Sequence, residues 1–463
     1  YLGSCTRASY GLIDIQTLSF TNLKILQALN LKNNPITDIP QRTNLDYLEE
    51  LDLSFNKLPS IDFDTTGLKN LSHFYINNNA IKQIRRDSFQ PLTSLQMIDL
   101  SNNAIEDIQT LSFTNLKILQ ALNLKNNPIT DIPQRTFNGL SSCYDLDLSG
   151  SKIKTLQNNS FFGMRSLNKL NLSHSDIKLL DFNVFNGTGA IEFLDLSFNR
   201  IESFSINSTN LKLQRIQLTS NVITSINKMS FQKQRSVTLI DISYNKISYI
   251  QPGSFIDCEF LYSLNLNNNY LSSLQFGVFE GMESVSRINL SNNRFHRFDG
   301  KLFYGLSNLQ VVYLDNNFID KINLTEFTLS RSTITTLSIG GNPLICDMLV
   351  RFIHEGLSLR AESPNFDTEN VNGITCKSET EINNNTQDND NKMLLSGSDN
   401  LEKLVNVTNR YLAATFGTLL CAMLAVLCFF VYFKFRNKLT RSRVVSSSRE
   451  VLSNAMELES NQD

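Results

Sequence analysis

Residues 119–140 read LQALNLKNNPITDIPQRTFNGL, and the spacing of their apolar side chains decides the fold. Leu119, Leu122, Leu124 and Asn127 form an L-x-x-L-x-L-x-x-N pattern. Successive residues of a strand point to opposite faces, so the L-x-L step sends two leucines into one core from a short strand. Asn127 ends that strand, because its amide can bond neighbouring backbone where the chain bends. Ile129 and Ile132 carry the chain along the next side, and Phe137 and Leu140 fill the far side. The stretch reads as one turn of a coil whose successive turns stack their asparagines into a ladder.

Outward from this turn, the asparagine position recurs at Asn34, Asn56, Asn79, Asn103 and Asn127, then as Ser151 and Ser175, then at Asn199, Asn221, Asn245, Asn269, Asn293, Asn317 and Asn342. The commonest step is 24 residues, and fourteen turns are readable. Wherever the next step is 24 or 25 residues, a phenylalanine lies ten residues on, from Phe89, Phe113 and Phe137 through to Phe303 and Phe327. The shorter turns after Asn34, Asn56 and Asn199 lack it. These rings predict a stacked apolar spine behind the strands. The strands predict a parallel sheet on the concave face of a curved α/β solenoid, each turn advancing the same strand by one ladder spacing. Such a coil grows without a domain limit, so 463 residues do not imply several globular domains. Residues 14–43 are identical to residues 107–136. The copies lie 93 residues apart, a whole number of turns, which fits an in-frame duplication and equally an error of sequence assembly.

The residue between the two strand leucines points outward and gives a polar, mildly acidic row, with Asp147, Asn171, Asp195, Gln217, Asp241 and Asn265 at its centre. Flanking positions add Phe193, Phe198, Arg215 and Tyr244. Phe193, Asp195, Phe198, Arg215, Asp241, Tyr244 and Asn265 are the candidate ligand-binding residues, since aromatic and Arg anchors dominate protein interfaces. The alternative is that Asp and Asn simply suit an exposed strand row.

Past Asn342 the rhythm breaks at N-P-L-I-C, followed by an amphipathic run over 349–357 and a second cysteine, Cys376. From residue 26 to residue 376 the chain resembles the ectodomains of animal extracellular leucine-rich-repeat proteins, including Toll-like receptors and the insect chaoptin and connectin adhesion group. The resemblance implies repeats over 26–342 and a C-terminal cap over 343–376. That family usually carries C-x-C at the start of the cap. Here Met348 stands at the second position, which implies one disulfide, Cys346 to Cys376. Residues 1–25 would be a truncated N-terminal cap or first partial repeat, with Cys5 lacking its partner, and a signal peptide is expected upstream of Tyr1. Cys143 and Cys258 lie about five turns, roughly 24 Å, apart and cannot pair, since a disulfide needs Cα atoms within about 7 Å. Cys143 takes a core leucine position.

Residues 377–410 carry no repeat pattern and little to bury, and predict a disordered extracellular stalk. Residues 411–433 hold no charge over 23 positions and predict one transmembrane helix. Lys434, Arg436, Lys438, Arg441 and Arg443 follow it, so the tail over 434–463 is expected in the cytosol and the repeats outside, a type I topology at the plasma membrane. Ala413, Gly417, Cys421 and Ala425 form a small-residue face that would suit a homodimer of spans, although chance explains it as well. N-x-S/T sequons occur at Asn70, Asn158, Asn171, Asn186, Asn207, Asn289, Asn323, Asn384 and Asn406, all on the side expected to be extracellular. Asn171 and Asn289 occupy outward strand positions, where glycans would confine a protein ligand between them or to a lateral edge.

The 42 basic and 44 acidic residues nearly cancel, which gives no basis for a nucleic-acid partner. Four scattered histidines make no metal site with the cysteines, and no nucleotide-binding or hydrolase motif is present, so neither cofactor nor enzymatic activity is expected. The resemblance implies a cell-surface receptor or adhesion molecule for an extracellular protein. The alternative is an innate-immune pattern-recognition co-receptor or decoy, because the tail leaves no room for the TIR domain of Toll-like receptors.

Overall fold

The computed structural model describes the backbone of residues 4–6 and, in full, residues 25–39, 45–63, 65–189, 191–206, 211–322, 333–354 and 356–377. The membrane span expected at 411–433, the tail, the stalk beyond Lys377, and the sequons at Asn207, Asn323, Asn384 and Asn406 lie outside the described residues. Among the described residues no helix is long and apolar enough to cross a membrane.

Among the described residues the L-x-L steps form a parallel sheet of sixteen strands, each three residues long. Leu122 pairs in register with Ile98 on one side and Leu146 on the other, so each turn sets its central leucine against the same position of the next. In the fifteen strands from Ala28–Asn30 to Ser358–Arg360 the central residue is buried and its neighbours face outward in part, as in Ala121–Asn123 and Asp145–Asp147. Fourteen strands each precede one of the ladder positions. The other two are Ser4–Thr6, paired with Ala28–Asn30, and Ser358–Arg360, paired with Thr336–Ser338.

The ladder bonds are the reason the turns stack. Asn103 Nδ2 donates to Leu100 O at 3.0 Å in its own turn and to Ile76 O at 3.0 Å in the turn before. Its Oδ1 accepts from Ile81 N at 3.1 Å, again in the turn before. Asn127, Asn199, Asn245, Asn269 and Asn293 repeat the arrangement. A serine hydroxyl is too short to span the gap. Ser151 Oγ donates to Leu148 O within its own turn, and the buried Ser175 Oγ has no partner.

Behind the strands the phenylalanines stack, with centroids 5.7 Å apart for Phe89 and Phe113 and 5.8 Å for Phe137 and Phe161. Where the short turn after Asn199 lacks a spine ring, Phe204 fills the gap edge-on to Phe231. Neighbouring strands of a sheet lie only about 4.8 Å apart. The turns are therefore more widely spaced at the spine than at the sheet, and the coil bends with the sheet on its inner side.

The last turn is closed by a helix, α1 (Cys346–His354), which buries Leu349 and Phe352. Cys346 and Cys376 are joined, with Cα atoms 5.0 Å apart. The strand Leu344–Ile345 pairs with Ile374–Lys377 beside the bridge. Asp315 Oδ1 accepts from Gly340 N at 3.0 Å and Glu362 N at 2.9 Å, pinning the cap to the turn beneath it. Cys143 and Cys258 are free and buried, and burial pushes both thiols up to about 12.

Candidate binding face on the strand surface

In-register stacking places identical positions about 4.8 Å apart, so a row of carboxylates would repel itself. The outward row avoids this by alternation: Asp99, Asn123, Asp147, Asn171, Asp195, Gln217, Asp241 and Asn265 face one another strand by strand. Asn265 Nδ2 donates to Asp241 Oδ2 at 3.1 Å, and Asn171 Nδ2 to Asp147 Oδ2 at 3.5 Å. The carboxylates also shape the chain after the strand. Asp195 Oδ1 accepts from Ser197 N at 2.9 Å and Ser197 Oγ at 2.6 Å, and Asp241 does the same with Ser243. These are Asx-type turns. One oxygen of each carboxylate thus holds the bend, which gives the Asp row a structural role beside any recognition.

The face carries an open depression of ≈ 270 Å³ lined by Asp145, Asp147, Lys169, Asn171, Phe193, Asp195, Arg215 and Gln217, with Leu170 and Leu194 beneath. The Arg215 guanidinium lies 5.6 Å from the Phe193 ring centroid, and Lys169 Nζ is 3.6 Å from Asp145 Oδ2. Both contacts are partly exposed, so their value lies in orientation more than in stability. The N-terminal end of the face is more acidic. Burial, and then the Glu50, Asp52 and Asp99 carboxylates, raise the Tyr75 hydroxyl above its usual range.

Of the residues singled out from sequence, Phe193, Asp195 and Arg215 meet in this depression. Asp241 and Asn265 continue the row on the next strands. Phe198 and Tyr244 do not join them. Each sits where the chain leaves its strand, with φ of 54°, and is about half exposed on the rim. Their position is the one before the ladder residue, which is left-handed in every turn and is usually Asn, as at Asn102, Asn126 and Asn268. Phe198 stacks on His174, which holds the same position one turn earlier, with centroids 4.2 Å apart. Sequence reading missed Lys169, Asp145 and His174. Aligning turns on the ladder position would have shown His174 and Phe198 as neighbours.

Asn70, Asn158 and Asn186 are exposed. Asn171 lines the depression itself, and its Oδ1 accepts from Ser173 N at 3.0 Å. Asn289 makes the equivalent bond to Ser291 N. Among the described residues no group of three or more His, Cys, Asp or Glu side chains could hold a metal ion.

Residues 46–105, 98–153, 141–201, 212–262 and 259–319 match a family model described as leucine rich repeat. Lumican from Gallus gallus is 44% identical over 73 residues, which cover 15% of this chain and 20% of lumican. The chain therefore matches about a fifth of that protein's length. Among solved structures, the leucine-rich-repeat protein LIC12759 of Leptospira interrogans is 21% identical, with a TM-score of 0.61 over 82% of this chain and 97% of that one. A chain of the Drosophila Toll–Spatzle complex gives 19% identity and a TM-score of 0.60 over 79% of this chain and 53% of its own. The LRIM1/APL1C complex gives 16% and 0.60 over 94% and 85%. At these identities the likeness is one of fold.

Proposed function

The chain belongs to the leucine-rich-repeat family, and on that footing we propose that it is a single-pass cell-surface protein whose strand face binds an extracellular protein, as a receptor or adhesion molecule. The observation that carries this reading is the depression around Phe193 and Arg215, where an aromatic ring, a guanidinium and alternating carboxylates are held on a sheet too regular to rearrange. A preformed surface limits the ordering cost of association. An open face of this kind offers no enclosure for catalysis. The charge-free run at 411–433 and the basic residues after it support the membrane anchor.

Proximity labelling on intact cells expressing the full chain, wild type beside Phe193→Ala and Arg215→Glu, tests the reading. Neighbours enriched by the wild type should fall at least ~10-fold with either variant, the loss expected of an interface anchor. Equal labelling by all three at equal surface expression would sink it. A second reading, an innate-immune co-receptor or decoy, draws support from the fold shared with the Toll and LRIM1/APL1C chains. Labelling that appears only in microbially challenged fluid separates it from adhesion.

A further inference from the structure

The back of the coil carries a feature that the strand face does not explain. Two outward columns run there, seven and eleven residues past the ladder position. In the earlier turns they carry sequons, Asn158 in the first and Asn186 in the second. In the later turns the same columns carry Phe276 and Tyr304, and no sequon falls between Asn207 and Asn289. Phe276 is 71% and Tyr304 69% exposed, far more than ring stacking or core packing would leave them. They flank an open depression of ≈ 420 Å³. Its floor is kept open by glycine. Gly305 has no atom within 4 Å of where a Cβ would stand, and Gly277 meets only Glu280 and Pro252 beyond 3.5 Å.

The only charged side chains lining this depression are Glu280 and Glu283. Neither forms an ion pair among the described residues. Lys301, in the next turn, does not line it. Two exposed ring faces beside two unpaired carboxylates attract an organic cation twice over, through the ring quadrupoles and through charge. We propose that this depression is a second binding site, independent of the strand face, and that it takes a Lys or Arg side chain from a basic segment of a protein partner. The size is in the range of small-ligand clefts, enough for one such side chain with its neighbours.

The probe is a fluorescent nona-arginine peptide titrated by anisotropy into the full chain in detergent micelles, at two salt concentrations. Phe276→Ser with Tyr304→Ser should weaken binding at least ~10-fold at fixed salt, as should Glu280→Gln with Glu283→Gln. Glu106→Gln, which removes an exposed carboxylate that lines neither depression, should leave it unchanged. All four back-face positions are side chains at the surface, and unchanged circular dichroism and melting temperature verify folding in each variant. Loss in the carboxylate variant without loss in the aromatic one would overturn the proposal, since unspecific charge attraction alone would then account for binding. So would an effect of Glu106→Gln equal to that of the back-face variants, or absence of binding to the wild type.

Discussion

At the scale of single residues, the ladder separates positions that a pattern search treats alike. Asn245 Nδ2 donates to Leu218 O, Ile242 O and Ser243 O, and its Oδ1 accepts from Ile223 N. Asn245→Ala strands these buried groups and should cost about 2–4 kcal/mol, read as a lower denaturant midpoint. Ser175 is the opposite case, a buried hydroxyl without a partner in a position built for an amide. Ser175→Asn should raise stability by about 1 kcal/mol in the same measurement, and no gain would show that the turns there are too far apart to bridge. Phe198 tests a different balance. Its left-handed backbone costs an L-residue roughly 1–2 kcal/mol, partly offset by the stack on His174. Phe198→Asn should therefore change stability by no more than about 1 kcal/mol while weakening any ligand that uses the rim. Such backbone conformations are also why the candidate site was only partly legible. Sequence shows that Phe198 and Tyr244 lie near an outward row, but the sign of φ turns them away from it.

At the scale of elements, the repeat strands of the large sheet were legible, because L-x-L fixes both their position and their buried face, whereas the short second pairs, such as Gln83–Ile84 with Asp107–Ile108, carry no such step and were not. The cap was less so. Leu359 is buried at the centre of Ser358–Arg360, yet no ladder asparagine follows it to mark a strand. The cystine that closes this cap spans 30 residues, and its loss through Cys346→Ser should cost roughly 3–4 kcal/mol by loop-closure entropy. Limited proteolysis should then cut within 343–377 before the repeats, and simultaneous cleavage of both would count against a separately closed cap. The core thiols give a second check on the repeats. With Cys143 and Cys258 pushed from 9.0 to about 12, iodoacetamide at pH 8 should label neither until the chain unfolds. The same shift works against the fold in alkali. The folded state keeps both thiols protonated while the unfolded chain ionises, so their contribution is full below pH 9 and is lost as pH rises toward about 12.

At the scale of the whole coil, nearest-neighbour contacts carry the stability, so damage in one turn spreads only as far as its ladder and spine bonds allow. The wider spacing at the spine than at the strands sets the bend without any residue dedicated to it. The outward row adds a property that the coil itself lacks. The backbone repeats with every turn, but the charge pattern from Asp99 to Asn265 repeats with every second turn. A bound partner that slips by one strand moves its cations from carboxylates onto amides. It must slide by two strands, about 9.6 Å, before the charges agree again. The face is in this sense a ruler marked at half the frequency of its own lattice, and it rejects misaligned docking by the parity of the error, odd steps being penalised and even ones tolerated.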